Sequence, residues 1–365
     1  MSKLKVCFLI PSVRSGGIET DLLRFLNYQD NANAIDATIL VRNKSKAELY
    51  DAYKATGANL VFKPLGYFNL SNMLWYYRFF KKVKFDTVCD FNANFAGLPM
   101  FLSKLAGIKK RIAFYKQGSD HFKKSALRIA YNNLMNRLVY KYSTFIYANS
   151  SSGLEFFFPN EYPKDTRFKV IKNGVNVDDF LDTNESKKDL RKRLGLPEDR
   201  FVIGHTGRFT EAKNQFFLLD VAAKLIAKDK DIYFVLIGND TDQLLPYINK
   251  LGINDNVNVF GYKNNIPEYL KTFDLFFFPS VTEGLPNALI EAMISGLPIA
   301  VSNIPSLVEC LPSDRHGCLI DPYNVDSTVE KIIEIKKNPE NYVYQKFAIE
   351  NFDAEVQFGE FMENL

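Results

Sequence analysis

Short apolar runs alternate with longer helical patterns along almost the whole chain, and this alternation limits the fold more than any other feature. In the first half, Lys5–Ile10, Ala37–Val41, Asn59–Phe62, Thr87–Cys89, Arg111–Tyr115, Phe145–Ala148 and Lys169–Ile171 read as strands. Between them, Gly16–Tyr28 reads as a loop entering a helix, and Lys46–Thr56, Leu70–Val83, Phe95–Ala106 and His121–Lys141 read as helices. A second series places strands at Phe201–His205, Ile232–Ile237, Val257–Phe260, Leu275–Phe278, Ile299–Val301 and Cys318–Ile320, with a helical end from Val325 broken near Pro339. Such alternation implies parallel sheets covered by helices on both faces. At 365 residues the chain exceeds one typical domain, and two of roughly 170–190 residues fit its length. The expected fold class is α/β, with two Rossmann-like doubly wound domains facing a cleft. The expected domains are 1–180 and 181–350, with the polar stretch Asp178–Arg193 as the linker. Ligands of such sheets sit at the carboxyl ends of strands.

Composition adds limits of its own. Hydrophobic content of 47% with 24% charge suits a globular protein. Cys7, Cys89, Cys310 and Cys318 have no metal or redox spacing, and Cys7 and Cys89 fall inside apolar strand patterns. Buried free thiols, and hence a reducing compartment, are expected. The first apolar run, Val6 to Pro11, is too short for a signal-peptide core or a membrane span. The expected location is therefore the cytoplasm. The net charge of +4 hides an asymmetry: residues 1–180 carry +13 and the remainder −9. A basic half suits an anionic partner such as a membrane surface, a phosphorylated acceptor or nucleic acid, and equally suits an ordinary solvated surface. Nucleic acid has no recognition motif to support it.

The stretch Ser280–Pro298, SVTEGLPNALIEAMISGLP, holds the densest candidate chemistry. Gly284 permits unusual backbone angles, Pro286 suits a first helical turn, and Ser295-Gly296 before Pro298 ends the helix. Glu283 then lies in the loop, and Glu291, eight residues on, lies in the helix. The amides of Asn287 and Ala288 point where an anion can sit, aided by the helix dipole. Carboxylates beside such a pocket suit sugar hydroxyls, although a helix with an acidic solvated face has the same pattern. Thr206-Gly207-Arg208-Phe209 follows the first strand of the second half, and Lys213 opens the next helix. These two cations can neutralise a diphosphate, or can be surface charges near a turn. Ser15-Gly16-Gly17 follows the first strand, but Glu19-Thr20 stand where a dinucleotide fingerprint needs its third glycine. Leu70–Lys84, aromatic and then basic, suits either an anionic membrane or a packed core with a solvated tail. The long helix after His121, with Lys123, Lys124, Arg128, Arg137 and Lys141, either reinforces a membrane face or is solvated. His121, His205 and His316 lack metal-ligand spacing, and no metal is expected. Gln117-Gly118-Ser119-Asp120-His121 follows a strand and is a candidate polar loop.

Taken together, the E-x7-E pattern of Glu283 and Glu291, GRFTEAKNQ at 207–215, the segment 259–280, KNGV at 172–175 and GGIET at 16–20 resemble the retaining glycosyltransferases of family 4, with the GT-B fold. The resemblance covers nearly the whole chain. It implies a nucleotide-sugar donor as substrate, UDP before GDP, and no separate cofactor. Glu291 would bind the ribose hydroxyls, and Glu283 would face the transferred sugar. The loop Gly284-Leu285 and the amides at Leu285, Asn287 and Ala288 would meet the diphosphate, clamped by Arg208 and Lys213. The backbone near Tyr262 and Lys263 would read the base, and Gly16 and Gly17 would close on the phosphates. Residues 351–365 would cross back to the first domain.

The implied chemistry is retention of configuration by front-face transfer, with the leaving phosphate taking the acceptor's proton and the protein positioning and stabilising charge. Many relatives carry a histidine just after the strand ending near Tyr115. Here either Gln117 replaces it or His121 reaches the site from a shifted loop. The expected role is surface-polysaccharide synthesis on a saccharide or lipid-linked acceptor, with peripheral contact to the inner face of the membrane. A sugar-nucleotide epimerase, a phosphorylase, and a non-catalytic nucleotide-sugar-binding protein are the competing readings.

Overall fold

The computed structural model describes residues 3–32, 34–119, 125–181 and 185–365, with side chains throughout except at 29–32. The described residues divide into two compact units, 1–174 with 354–365, and 175–353.

In the first unit, strands β1 (Leu4–Ile10), β2 (Ile35–Val41), β3 (Asn59–Phe62), β4 (Thr87–Asp90), β5 (Lys110–Tyr115), β6 (Phe145–Ala148) and β7 (Phe168–Val170) form a sheet. The order is β3-β2-β1-β4-β5-β6-β7, and the neighbours pair in parallel. The two-residue period of a strand explains why both faces are apolar. Val6, Phe8 and Ile10 enter one core, while Cys7 and Leu9 enter the other. The four cysteines are free and buried, and burial pushes the Cys7 and Cys89 thiols well up.

The helix Leu70–Val83 is capped by Asn69, whose side chain accepts from the Asn72 amide. Its Tyr76 and Phe80 are fully buried and share a core with Leu98, Met100 and Met135. The aromatics on that side are thus core. The helix Ser151–Phe157, absent from the sequence reading, is capped by Ser150 onto the Gly153 amide. The final helix, Ala354–Glu363, belongs to the first unit. Phe361 lies 4.7 Å from the Phe25 ring, and Thr87 Oγ1 donates to the Leu365 carbonyl at 2.7 Å. Burying Phe358 and Phe361 contributes about 1.5–3 kcal/mol each.

In the second unit, β8 (Phe201–Thr206), β9 (Ile232–Ile237), β10 (Val257–Phe260), β11 (Leu275–Phe278), β12 (Ile299–Ser302) and β13 (Leu319–Ile320) form a parallel sheet ordered β10-β9-β8-β11-β12-β13. Strand order reverses between β8 and β11, the place where a doubly wound sheet opens a crevice. Gly204, within β8, is required by packing: a Cβ there would overlap the Phe273 ring.

Two expectations change. Val175, Val177 and Phe180 pack into the second unit's core, so the boundary falls after 174, ahead of 180. The polar stretch read as a linker contains the helix Lys187–Arg193, docked on the second unit. Arg191 is buried there, bonding the Thr272 carbonyl at 2.7 Å and Asp274 at 2.6 Å. A buried guanidinium with fixed partners makes this segment part of the body it was expected to tether.

Candidate functional site

The chain leaves β8 through Gly207-Arg208-Phe209. The ladder to β9 continues past the strand end: Gly207 N–H donates to the Ile237 carbonyl at 2.8 Å, and Phe209 N–H to the Asn239 carbonyl at 2.9 Å. Gly238 is needed there because a Cβ would overlap the Gly207 carbonyl. One 3-10 turn, Glu211–Lys213, follows. Asn214 then adopts a left-handed conformation, φ 56°, and starts the helix Gln215–Lys228. Asparagine tolerates this geometry far better than most residues.

The chain leaves β11 in parallel, through Pro279–Pro286, and the two loops are joined. The Val281 amide donates to the Ala212 carbonyl at 2.9 Å. That bond places Lys213 beside Glu283, with Nζ 2.7 Å from Oε1. Lys213 Nζ also lies 4.6 Å from the centre of the Phe278 ring. The two side chains are 19% and 13% exposed. They are screened by protein yet open to a ligand. The expected clamp cation and the expected sugar-facing carboxylate therefore hold one another.

The helix Asn287–Ile294 follows with Pro286 at its N-cap, one place earlier than the expected first helical position, and with no side-chain cap. Its dipole directs positive character toward the same loop. Glu291 lies in this helix and is 8% exposed. Gly284 and Leu285 are buried in the loop, and Ala288 is half-buried at the helix start. The structure thus gathers Arg208, Lys213, Glu283, Gly284, Leu285, Asn287, Ala288 and Glu291 on the two elements that flank the β8–β11 reversal. Tyr262 and Lys263 follow β10, at the edge of the same sheet and two strands from β8.

His205 explains how the Arg208 loop keeps its shape. It is 1% exposed, with its ring near those of Phe276 and Phe278 at 6.5 and 5.8 Å. Burial above all pushes its pKa down, to about 4; the Phe277 carbonyl opposes this shift and Lys213 adds to it. The neutral ring therefore donates from Nδ1 to that carbonyl at 3.0 Å, which leaves Nε2 as an acceptor for Gln215 at 3.5 Å. Gln215 also donates to the Arg208 carbonyl at 3.0 Å. Gln215 was missed, since a polar residue opening a helix has no distinctive pattern. Thr206 Oγ1 and Ser280 Oγ were missed too. Both are buried at the adjoining ends of β8 and β11 with no hydrogen-bond partner among the described residues, a rare condition that calls for an explanation such as a functional role.

Gly16, Gly17 and Gln117 belong to the first unit, following β1 and β5. Gly17 opens the helix Gly17–Ala32, and the Gly16 carbonyl accepts from the Thr20 amide at 2.9 Å. His121 lies outside the described residues. Beside Gln117, Lys116 was not singled out from sequence, yet it forms a sealed ion pair. Its Nζ donates to Asp21 at 2.6 Å and to Asn173, of the KNGV turn, at 2.8 Å. The Lys116 and Asp21 side chains are only 4% and 7% exposed.

Comparison with known proteins now adds an independent line. Residues 186–350 match the family described as glycosyl transferases group 1. The chain is 27% identical to the capsular polysaccharide biosynthesis glycosyltransferase CapH of Staphylococcus aureus, over 92% of each chain. It is 26% identical to a UDP-Gal:alpha-D-GlcNAc-diphosphoundecaprenol alpha-1,3-galactosyltransferase of Escherichia coli, over 73% of this chain and 70% of the relative. Among solved structures, Anabaena HepE in complex with UDP and glucose is similar, with a TM-score of 0.81 and 20% identity over 99% of each chain. The fold is that of the GT-B glycosyltransferases.

Proposed function

We propose that this chain, whose residues 186–350 form a glycosyl transferases group 1 domain, is a retaining hexosyltransferase that uses a UDP-sugar. Its acceptor on this reading is a saccharide or lipid-linked saccharide of a bacterial surface polysaccharide, met in the cytoplasm. The observation that carries the reading is the Lys213–Glu283 pair at the strand-order reversal, beside the start of the helix that holds Glu291. The names of the relatives, capsular and undecaprenol-linked, and the UDP held by HepE support the choice of donor and acceptor.

A diphosphate entering this loop competes with Glu283 for Lys213. Two negative phosphates offer the ammonium more than one carboxylate does, and Arg208 supplies the second cation. Glu283 is thereby released toward the sugar, and Glu291 accepts from the ribose hydroxyls. In the transfer step the bond from the anomeric carbon to the diphosphate oxygen breaks as the acceptor oxygen bonds from the same face. The acceptor's proton passes to the departing phosphate oxygen. Arg208, Lys213 and the helix start carry the charge that develops there. The arrangement neutralises the leaving group with side chains, and the reading assigns that work to no metal or cofactor.

The test has two stages. A thermal-shift panel of nucleotide sugars is expected to single out UDP-linked donors. Incubation of the best donor with lipid-linked acceptors, followed by NMR of the product, is expected to give an α-linkage that Glu283→Ala reduces on the order of a hundredfold or more. Stabilisation by no nucleotide sugar, or an inverted linkage, overturns the reading.

A further inference from the structure

Three helices of the first unit, Leu70–Val83, Gly97–Leu105 and Ala126–Tyr142, pack over one face of its sheet and bury their inner residues in a single core. Their outer composition is lopsided. Together they hold seven Lys and Arg, namely Arg78, Lys81, Lys82, Lys104, Arg128, Arg137 and Lys141, and no Asp or Glu. All seven are exposed. An ordinary solvated surface intersperses both signs, so an unmixed cationic layer calls for an anionic counterpart.

The apolar residues on the same surface are also ordered. On the first helix, Leu70 and Leu74 are followed along one exposed stripe by Arg78 and Lys82, at four-residue steps. On the third, Leu127 and Leu134 precede Arg137 and Lys141. Leu70 is 79% exposed and Leu127 is 87% exposed. Both helices run back against parallel strands, so their first turns lie at the carboxyl edge of the sheet. There Tyr67, itself 62% exposed, packs on Tyr131 at 5.1 Å and links the two apolar ends. A hollow of about 170 Å³ opens beside these two rings, which line it together with Arg42 and Phe95.

We propose that this edge docks on an anionic lipid surface, with the two helices entering by their N-terminal ends. A rise of 1.5 Å per residue puts Arg78 about 12 Å behind Leu70, while apolar residues of interfacial proteins reach roughly 5–10 Å into the headgroup boundary. Leucines enter the acyl region, Arg78 stays near phosphate level, and Lys81, Lys82 and Lys141, farther along the helices, act on the anionic surface through its field. The tyrosines take the boundary, where an apolar ring with a polar tip is suited to both sides. The helix does not lie flat, because the rings such a pose would insert, Tyr76 and Phe80, are in the core. A nucleic acid or other soluble polyanion uses the cations alone and gives the exposed leucines no role. Among the described residues no helix is long and apolar enough to cross a membrane. The inference is independent of the donor-site reading.

The experiment is vesicle flotation of the full chain without nucleotide, using phosphatidylglycerol mixed into phosphatidylcholine, against pure phosphatidylcholine. Binding is expected on the mixed vesicles at low salt, with loss on the neutral ones. The pair Lys81→Gln and Lys82→Gln is expected to weaken partition roughly tenfold or more and to flatten its salt dependence. The pair Leu70→Ser and Leu74→Ser is expected to weaken it by at least about tenfold, and Leu127→Ser repeats that test on the other helix. Unchanged melting temperatures establish that each variant is folded. Failure of the parent protein to float at low salt overturns the proposal, as does flotation that none of the variants alters. Retention on heparin that the leucine variants leave unchanged, with no flotation, assigns the surface to a soluble polyanion and overturns it equally.

Discussion

Both units carry a lysine–carboxylate pair at the carboxyl edge of a parallel sheet, and the two pairs have nearly the same length. Lys116 and Asp21 are 2.6 Å apart, and Lys213 and Glu283 are 2.7 Å apart. Their surroundings differ. Lys116 is sealed, with Asn173 as a further acceptor and the Phe114 ring 4.1 Å from its ammonium. Lys213 and Glu283 hang from two loops and retain some exposure. Distance alone therefore does not distinguish a sealed ion pair from one that a ligand can enter. Access and alternative partners do: a pair that a ligand can enter is free to exchange, whereas a sealed one only holds elements together.

The comparison can be broken most sharply at the sealed pair. Lys116→Ala leaves Asp21 buried without its cation, and chemical denaturation is expected to register a loss of about 3–5 kcal/mol. A loss under about 1 kcal/mol, the range of exposed pairs, would make the two pairs alike. At the open pair the effect moves from stability to rate. Lys213→Ala is expected to lower transfer on the order of a hundred- to a thousandfold, and to cost less stability than Lys116→Ala because Glu283 keeps 13% exposure against 7% for Asp21.

His205 tests whether the scaffold under the open pair depends on a neutral ring. Its folded pKa, about 4, lies below the ordinary value of 6.5, so the unfolded chain takes up the proton first as pH falls. The associated stability is complete above pH 6.5 and is lost as pH drops toward 4. The loss amounts to about 3 kcal/mol at about 1.4 kcal/mol per pH unit. Unfolding measured across that window should show this slope in the parent protein and lack it in His205→Asn. The smallest expected effect is at Ser280, whose buried hydroxyl has no partner among the described residues. Ser280→Ala should change stability by roughly 1 kcal/mol or less, in the stabilising direction, and a clear destabilisation would reveal a bond made only in the folded protein with its solvent.

Much of this was legible in the amino-acid order because it rests on local rules. Strand positions follow from short apolar runs, and β8 to β12 fall within a residue or so of the reading. The loop carrying Glu283 and the helix carrying Glu291 follow from Gly284, Pro286 and Gly296. The misses have a common cause. The stretch before Arg193 looks like a linker because it is charged, and nothing local reveals that Arg191 finds the Thr272 and Asp274 acceptors. The aromatic–basic helix left core and membrane both open, since periodicity does not say which aromatic face meets the sheet.

By itself, the sequence determined two α/β series, the loops that end them, and the residue types that suit a diphosphate and a sugar. Those are properties of neighbours along the chain. Only the tertiary structure decided that Lys213 meets Glu283 across 70 residues and that Lys116 meets Asp21 across 95. Each is a contact between distant segments, fixed by how the helices cover the sheets. A one-dimensional pattern names the groups that need a partner, and packing chooses which partner each one receives.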